Sequence, residues 1–209
     1  ARGQNSIAVA SGANYSLTKD NIKKAWERID DIDFLIMPLE TPADTILEAA
    51  RLAKERQAKV ILNPAPARSL TSELLSLVDV LAPNEHEILQ ISEQTIPDEN
   101  ELESAARLMI SQGVKSVVTT LGDEGVSIIE HDQEEVRLSA YHVDVLDTTA
   151  AGDSFVAALA VGLDEGKSLI DTCQYANAVG ALTVTKMGAQ PSLPTRSEVE
   201  DFLNQQELE

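Results

Sequence analysis

The stretch FLIMPLETPADTILEAARLAKERQAKVIL, from Phe34 to Leu62, sets two short aliphatic runs on either side of one amphipathic segment. Phe34-Leu35-Ile36-Met37 and Lys59-Val60-Ile61-Leu62 have the length and composition of strands. Between them Ile46, Ala49, Ala50 and Ala53 fall at i, i+3, i+4 and i+7, the apolar stripe of a helix from Pro42 to about Arg56. Thr41 is the expected N-cap and Pro42 the expected first helical residue, where a missing N–H breaks no bond. The alternation continues outward on both sides. Ser6-Ile7-Ala8-Val9-Ala10 is strand-like after a turn at Gly3-Gln4-Asn5, Val78-Asp79-Val80-Leu81 and Ser116-Val117-Val118-Thr119 read as strands, and Glu101 to Ser111 reads as a helix ending at Gly113. Repeated strand–helix order predicts an α/β fold, doubly wound, with a mostly parallel sheet and helices on both faces.

From Gly125 to Val145 the pattern changes. Val126-Ser127-Ile128-Ile129, Glu135-Val136-Arg137-Leu138 and Tyr141-His142-Val143 are short runs between polar turns, the signature of an antiparallel meander. Three helices follow, at about Ala151 to Glu165, Leu169 to Thr185 and Arg196 to Gln205, the last capped by Thr195. The second carries Leu169, Cys173, Ala176, Gly180 and Val184 along one stripe, small enough for close helix contact. The whole of residues 1–209 reads as a single domain without internal repeats or long linkers.

Thirty-five acidic against 16 basic side chains give a formal charge of −19. Such a field disfavours nucleic acid and anionic membranes as partners. An anionic substrate must then be held by local devices, such as helix N-termini or a bound cation. Cys173 is the single cysteine, so no disulfide closes within the chain and a reducing, cytoplasmic setting is expected. No run approaches the roughly 18 apolar residues that span a bilayer. His86, His131 and His142 show no ligand spacing and read as turn or surface residues.

In open α/β sheets ligands bind beyond the carboxyl ends of the strands. The residues there are polar: Glu40, Asn63, Asn84, Thr120 and Gly122. The strongest signal is Asp147-Thr148-Thr149-Ala150-Ala151-Gly152-Asp153, which opens a helix whose apolar face is Phe155, Ala158, Leu159, Gly162 and Leu163. The N–H groups of Ala150, Ala151 and Gly152 are expected to be open at that helix start, with side chains small enough to admit a phosphate. Asp153 in the first turn could take a proton from a hydroxyl attacking that phosphoryl group. An acid in a first turn also suits the helix dipole without any chemistry.

That string resembles the signature of the ribokinase family of sugar kinases, also called the phosphofructokinase B family. Gly12-Ala13-Asn14, Leu39-Glu40, Asn63-Pro64-Ala65-Pro66-Ala67-Arg68, Pro83-Asn84-Glu85-His86-Glu87, Thr120-Leu121-Gly122-Asp123-Glu124-Gly125 and Lys186-Met187-Gly188-Ala189-Gln190-Pro191-Ser192 match the same family in order and spacing. The resemblance covers nearly the whole chain and points to the ribokinase branch. It implies ATP-dependent phosphorylation of a sugar hydroxyl, D-ribose to ribose 5-phosphate, with Asp153 as base and Ala150, Ala151 and Gly152 as the anion hole. By the same matching Asn84, Thr120, Gly122 and Gly125 contact the nucleotide, and Asn177 stands where some members carry a histidine. Glu87 matches a glutamate associated with Mg2+, although Asn84 and Glu87 also form a capping box. Glu40 matches the sugar-binding glutamate. Asp147, Thr149, Thr183, Lys186, Gly188 and Ser192 match a monovalent-cation site for K+, held mostly by backbone carbonyls.

The family pattern also has a leading strand with a sugar-binding aspartate, a Gly-Gly-Lys-Gly segment and a β lid, and these are missing from the sequence. The chain is therefore expected to be N-terminally incomplete, to hold nucleotide groups and to bind sugar poorly. Dimerisation through the lid is expected of a full-length form. The alternatives are a catalytically incompetent nucleotide-binding remnant, a kinase for a different sugar or nucleoside, and, more distantly, an aspartyl phosphatase.

Overall fold

Parallel pairing organises the computed structural model, which describes residues 10–93 and 100–206. Strands β1 (Phe34–Met37), β2 (Lys59–Leu62), β3 (Val80–Leu81) and β4 (Ser116–Thr120) lie side by side, Phe34 opposite Lys59, Ile61 opposite Val80 and Val80 opposite Ser116, all parallel. Beyond β4 come β5 (Val126–Glu130) and β6 (Val136–Leu138), giving a six-stranded sheet in chain order. The β4–β5 turn is closed by the Leu121 N–H donating to the Gly125 carbonyl. At the far end the His131 N–H donates to the Lys115 carbonyl, so β5 runs back antiparallel to β4. The mixed α/β sheet that the periodicity predicts is therefore present. Of the strand expected at Ser6 to Ala10, residues 6–9 lie outside the described residues, as does the turn before it.

The described residues form two compact units. One holds 10–120 and 127–136, with α1 (Lys19–Trp26), α2 (Ala43–Glu55), α3 (Ser72–Leu75), α4 (Glu85–Ser92) and α5 (Glu101–Ser111). Its core joins Ile46, Ala49, Ala50 and Ala53 of α2 to Val60, Leu62, Leu81 and Val117 of the strands. The helix stripe read from the sequence is thus the buried stripe. The start of α2 differs by one residue. Pro42 is the N-cap, because its carbonyl accepts the first N–H groups, from Thr45 and Ile46, while the Thr41 carbonyl is taken by Arg68.

The other unit holds 121–126 and 137–206, with α6 (Ala151–Asp164), α7 (Leu169–Thr183) and α8 (Arg196–Gln206). Phe155, Ala158 and Leu159 of α6 and Cys173 and Ala176 of α7 are buried, as their spacing predicts. Tyr141-His142-Val143 is not a strand. Its neighbours are engaged elsewhere: the Ser139 carbonyl accepts from Asn177 Nδ2, and the Leu146 and Asp147 N–H groups both donate to the Val184 carbonyl. The Tyr141 ring packs edge-on against Phe202, 5.2 Å between centroids. No helix among the described residues is long and apolar enough to cross a membrane.

A buried carboxylate fixes the middle of the sheet. Asp79, 8% exposed, accepts the Val60 N–H at 2.7 Å and binds the ammonium groups of Lys54 and Lys115. Burial raises the carboxyl's pKa, but the bonds from Lys115, Lys54 and the Val60 amide outweigh it and hold the group below its ordinary value. A lowered folded pKa contributes stability above the unfolded value that is lost as pH falls through the folded one. Asp79→Asn is expected to cost about 2 kcal/mol in urea unfolding at neutral pH. The cost should shrink below about pH 4; an equal cost at both pH values would contradict this.

Candidate active site

Because β1 to β4 are parallel, their carboxyl ends share one edge, and the loops leaving it are stitched to one another. The Leu39 N–H donates to the Ala65 carbonyl, Arg68 Nη2 to the Thr41 carbonyl, and the Thr120 N–H to the Pro83 carbonyl. Glu40 stands in the loop after β1 and Asn63 in the loop after β2, and Asn14 Nδ2 donates to Glu40 Oε2 at 3.4 Å. Asn84 and Thr120 are bridged as strand neighbours, so these two predicted positions are adjacent. The capping box is formed: Asn84 Oδ1 accepts the Glu87 N–H at 2.8 Å, and Glu87 Oε2 accepts the Asn84 N–H at 2.9 Å. Burial pushes the Glu87 carboxyl above its ordinary pKa. The Asn84 backbone, the nearby His86 and the Asn84 side chain offset part of that rise.

In the other unit the 147–153 segment forms a tight loop into α6. Ala150 is the N-cap residue in the left-handed region, φ 63°, which turns the chain sharply into the helix. The Ala151 N–H reaches back to the Thr148 carbonyl at 3.3 Å. The open amides are therefore those of Ala150, Gly152 and Asp153, so that Asp153 replaces Ala151 in the set expected at 150–152. A Cβ built on Gly152 would meet nothing within 4 Å, so the space before these amides is clear. Asp153 is exposed in the first turn and, with Ala150, Ser154 and Ala157, lines a groove of about 470 Å³. Open N–H groups at a helix start beside a carboxylate can hold a phosphoryl oxygen and receive a proton.

Asp147 holds the loop in place. Its Oδ1 accepts the Thr149 hydroxyl at 2.7 Å and the Thr149 N–H at 3.0 Å, and its Oδ2 accepts the Gly188 N–H at 2.9 Å. The Thr149 hydroxyl, the Gly188 amide and the Thr149 amide hold this carboxyl below its ordinary pKa. Of the residues matched to a cation site, Asp147, Thr149 and Gly188 are thus in direct contact. The Ser192 side chain is fully buried, its hydroxyl donating to the Ala189 carbonyl at 2.6 Å. Lys186 sends its ammonium to Glu198, 2.8 Å away, leaving only its backbone for an ion. Glu198 is held down to about 2 by Lys186 and by the backbone and hydroxyl of Thr195.

Asn177 binds the protein itself, donating from Nδ2 to the Ser139 carbonyl at 2.8 Å, which leaves its Oδ1 open. His86, His131 and His142 are exposed, in keeping with surface roles, and His131 pairs with Asp132. Among the described residues no three His, Cys, Asp or Glu side chains gather into a metal cluster. Mg2+ could fit here only as an ion that keeps most of its water and takes one carboxylate, such as that of Glu87. Sequence reasoning passed over Ser154 and gave Asn14, quoted within the Gly12-Ala13-Asn14 match, no role of its own. Ser154 had a signal, since it shares the buried face of Ala158 and Gly162 at helical spacing.

Within its own unit, a small-residue helix start with open amides beside an aspartate could receive a charged group. The chain belongs to the pfkB family of carbohydrate kinases, whose model matches residues 1–196. Within it the chain is similar to several ribokinases. That of Haemophilus influenzae is 40% identical over 200 residues, covering 96% of this chain and 65% of its own. The crystal structure of ribokinase from Thermotoga maritima superposes with a TM-score of 0.86 at 39% identity, covering 97% of this chain and 66% of its own. The Arabidopsis thaliana ribokinase complexed with ribose and ATP gives 0.85 at 30% identity, with the same two coverages. The chain thus spans about 65% of the length of the relatives it matches.

Gly125 takes φ 105° at the end of the 122–124 turn, and a Cβ there would fall 2.0 Å from the Leu138 carbonyl oxygen and 2.6 Å from the Ala140 nitrogen. Gly122, at φ 58°, faces open space. Gly125→Ala is expected to lower stability by more than about 2 kcal/mol, and Gly122→Ala by about 1. Equal losses in thermal or urea unfolding would show that the Gly125 contact is not the constraint.

Proposed function

We propose that this chain is the nucleotide-binding and catalytic part of a ribokinase-type sugar kinase, in which ATP phosphorylates a sugar hydroxyl, D-ribose giving ribose 5-phosphate. The observation that carries the reading is Asp153 in the first turn of α6, beside the open amides of Ala150, Gly152 and Asp153 and next to clear space at Gly152. The ribokinase relatives support the choice of acceptor, and the Arabidopsis thaliana structure supports the choice of donor.

In the proposed reaction the amides take up charge from the γ-phosphoryl oxygens as the bond to the leaving diphosphate lengthens. Asp153 accepts the hydroxyl proton as the sugar oxygen attacks phosphorus in line, and ADP departs with the electrons of the broken P–O bond. Glu40 hydrogen-bonds the sugar, and Asn84, Thr120, Gly122, Gly125 and Asn177 serve the nucleotide. Glu87 would hold Mg2+ through water, and Mg2+ would neutralise phosphate charge. Backbone carbonyls at Thr149, Thr183, Lys186 and Gly188, with Asp147 and Ser192, would hold K+, which supplies a fixed positive charge near the anion cradle. Electrostatics favour such a local arrangement, because a chain of formal charge −19 repels ATP at long range. A cytoplasmic setting and dimerisation of a full-length form go with the same reading.

The second reading is a nucleotide-binding remnant without transfer. A coupled assay for ADP release with ribose, ATP, Mg2+ and K+ separates the two. In a full-length form transfer is expected, and Asp153→Asn should reduce turnover about 10²–10⁴-fold while ATP still binds. Nucleotide binding without transfer selects the remnant, and turnover unchanged in Asp153→Asn removes that residue from the mechanism.

A further inference from the structure

Two buried hydroxyls that take no part in the proposed chemistry meet behind the first turn of α6. Ser154, 5% exposed, donates its hydroxyl to the Ala151 carbonyl at 2.8 Å. Thr183, fully buried, places Oγ1 3.0 Å from Ser154 Oγ and 2.8 Å from the Val179 carbonyl. A hydroxyl has one proton to give. Ser154 spends its own on Ala151, so Thr183 shares its proton between Val179 and Ser154, and a polar chain runs from the end of α7 into the start of α6.

The helices cannot slide freely past this contact. A Cβ on Gly162 would lie 2.8 Å from Thr172 Cγ2, and one on Gly180 would lie 3.9 Å from the Ala151 carbonyl, so α6 and α7 touch closely at both ends. The turn that leaves α7 also grips the other end of the phosphate loop. The Val184 carbonyl accepts the Leu146 and Asp147 N–H groups, and the Gly188 N–H donates to Asp147. Residues 183–188 therefore hold the loop at its entry through backbone bonds and at its exit through the two hydroxyls.

We propose that the Thr183–Ser154 hydroxyl pair is a positioning device, coupling the 183–188 turn to the amides of Gly152 and Asp153. An ion held by the carbonyls of that turn then tightens the grip on a phosphate without touching it. The inference rests on the 147–153 loop being the phosphate site. Both hydroxyls are buried, and their protons are spent inside the protein on Ala151, Val179 and Ser154. Loss of the pair should weaken the effect of K+ while leaving a low-affinity site.

The test compares the chain with Thr183→Val, which keeps the shape and loses the hydroxyl, with Thr183→Ser, which restores it, and with Ser154→Ala. The probe is AMP-PNP with Mg2+, titrated in KCl and in tetramethylammonium chloride. Hydrogen exchange at residues 150–154 is followed in both salts without nucleotide. KCl is expected to tighten AMP-PNP binding about tenfold in the unsubstituted chain and in Thr183→Ser, but less than about twofold in Thr183→Val and Ser154→Ala. It should slow exchange at 150–154 only in the first two. An undiminished K+ effect in either hydroxyl-free variant overturns the coupling, and Ser154→Ala decides if Thr183→Val does not fold. If the unsubstituted chain binds no AMP-PNP, the phosphate-site reading falls, and the exchange measurement alone judges the coupling.

Discussion

A helix cannot satisfy its own first N–H groups, and whatever meets those of α6 decides what this molecule does. At most helix starts a Ser, Thr, Asp or Asn side chain closes them. Here the N-cap is Ala150, without a capping side chain, and it occupies the left-handed region at a cost of about 1–2 kcal/mol. The loop thus carries strain and leaves donors open. Asp147 restrains it from one side through Thr149 and Gly188, and the end of α7 restrains it from the other. A rigid frame around open donors suits a ligand that brings its own negative charge.

The interactions that support this frame differ in weight. Lys186–Glu198 and Arg196–Glu165 lie on the surface, where ion pairs contribute little, and they serve mainly to orient α8. Asp79 is different, because its carboxylate is buried among Val60, Lys54 and Lys115 and its removal leaves donors without a partner. Small residues matter as much as charge. With Gly162 against Thr172 and Gly180 over Ala151, α6 and α7 come closer than larger side chains would allow. Only three Phe, three Tyr and one Trp occur in 209 residues, so most of the packing is by aliphatic side chains, and the core built on α2 is rich in alanine.

Much of this was legible in the sequence. The runs Phe34–Met37 and Lys59–Leu62 and the helix Glu101–Ser111 appear with their expected bounds, since each has a clear period and a clear stop. Tyr141-His142-Val143 misled because alternation shows strand character, whereas a ladder also needs a free neighbour, and Asn177 and Val184 had taken the backbone on either side. The short helices α1 and α3 went unread, being too brief to show a period. At the site, the string from Asp147 to Asp153 was visible because small residues before an apolar helix are unusual. The Ala151–Thr148 bond, which takes Ala151 out of the open amides, is a matter of backbone geometry that residue types do not encode. The contact of Ser154 with Thr183 joins residues far apart in the chain, and only packing reveals it.

On the proposed function, the amides at the head of α6 grip the terminal phosphate of a nucleotide. Backbone amide NMR shifts of the 15N-labelled chain, followed as AMP-PNP and Mg2+ are added, report on that grip residue by residue. Ala150, Gly152 and Asp153 are expected to shift most at the head of α6, and ADP to move them much less. Binding of AMP-PNP that leaves these three amides in place would contradict that reading.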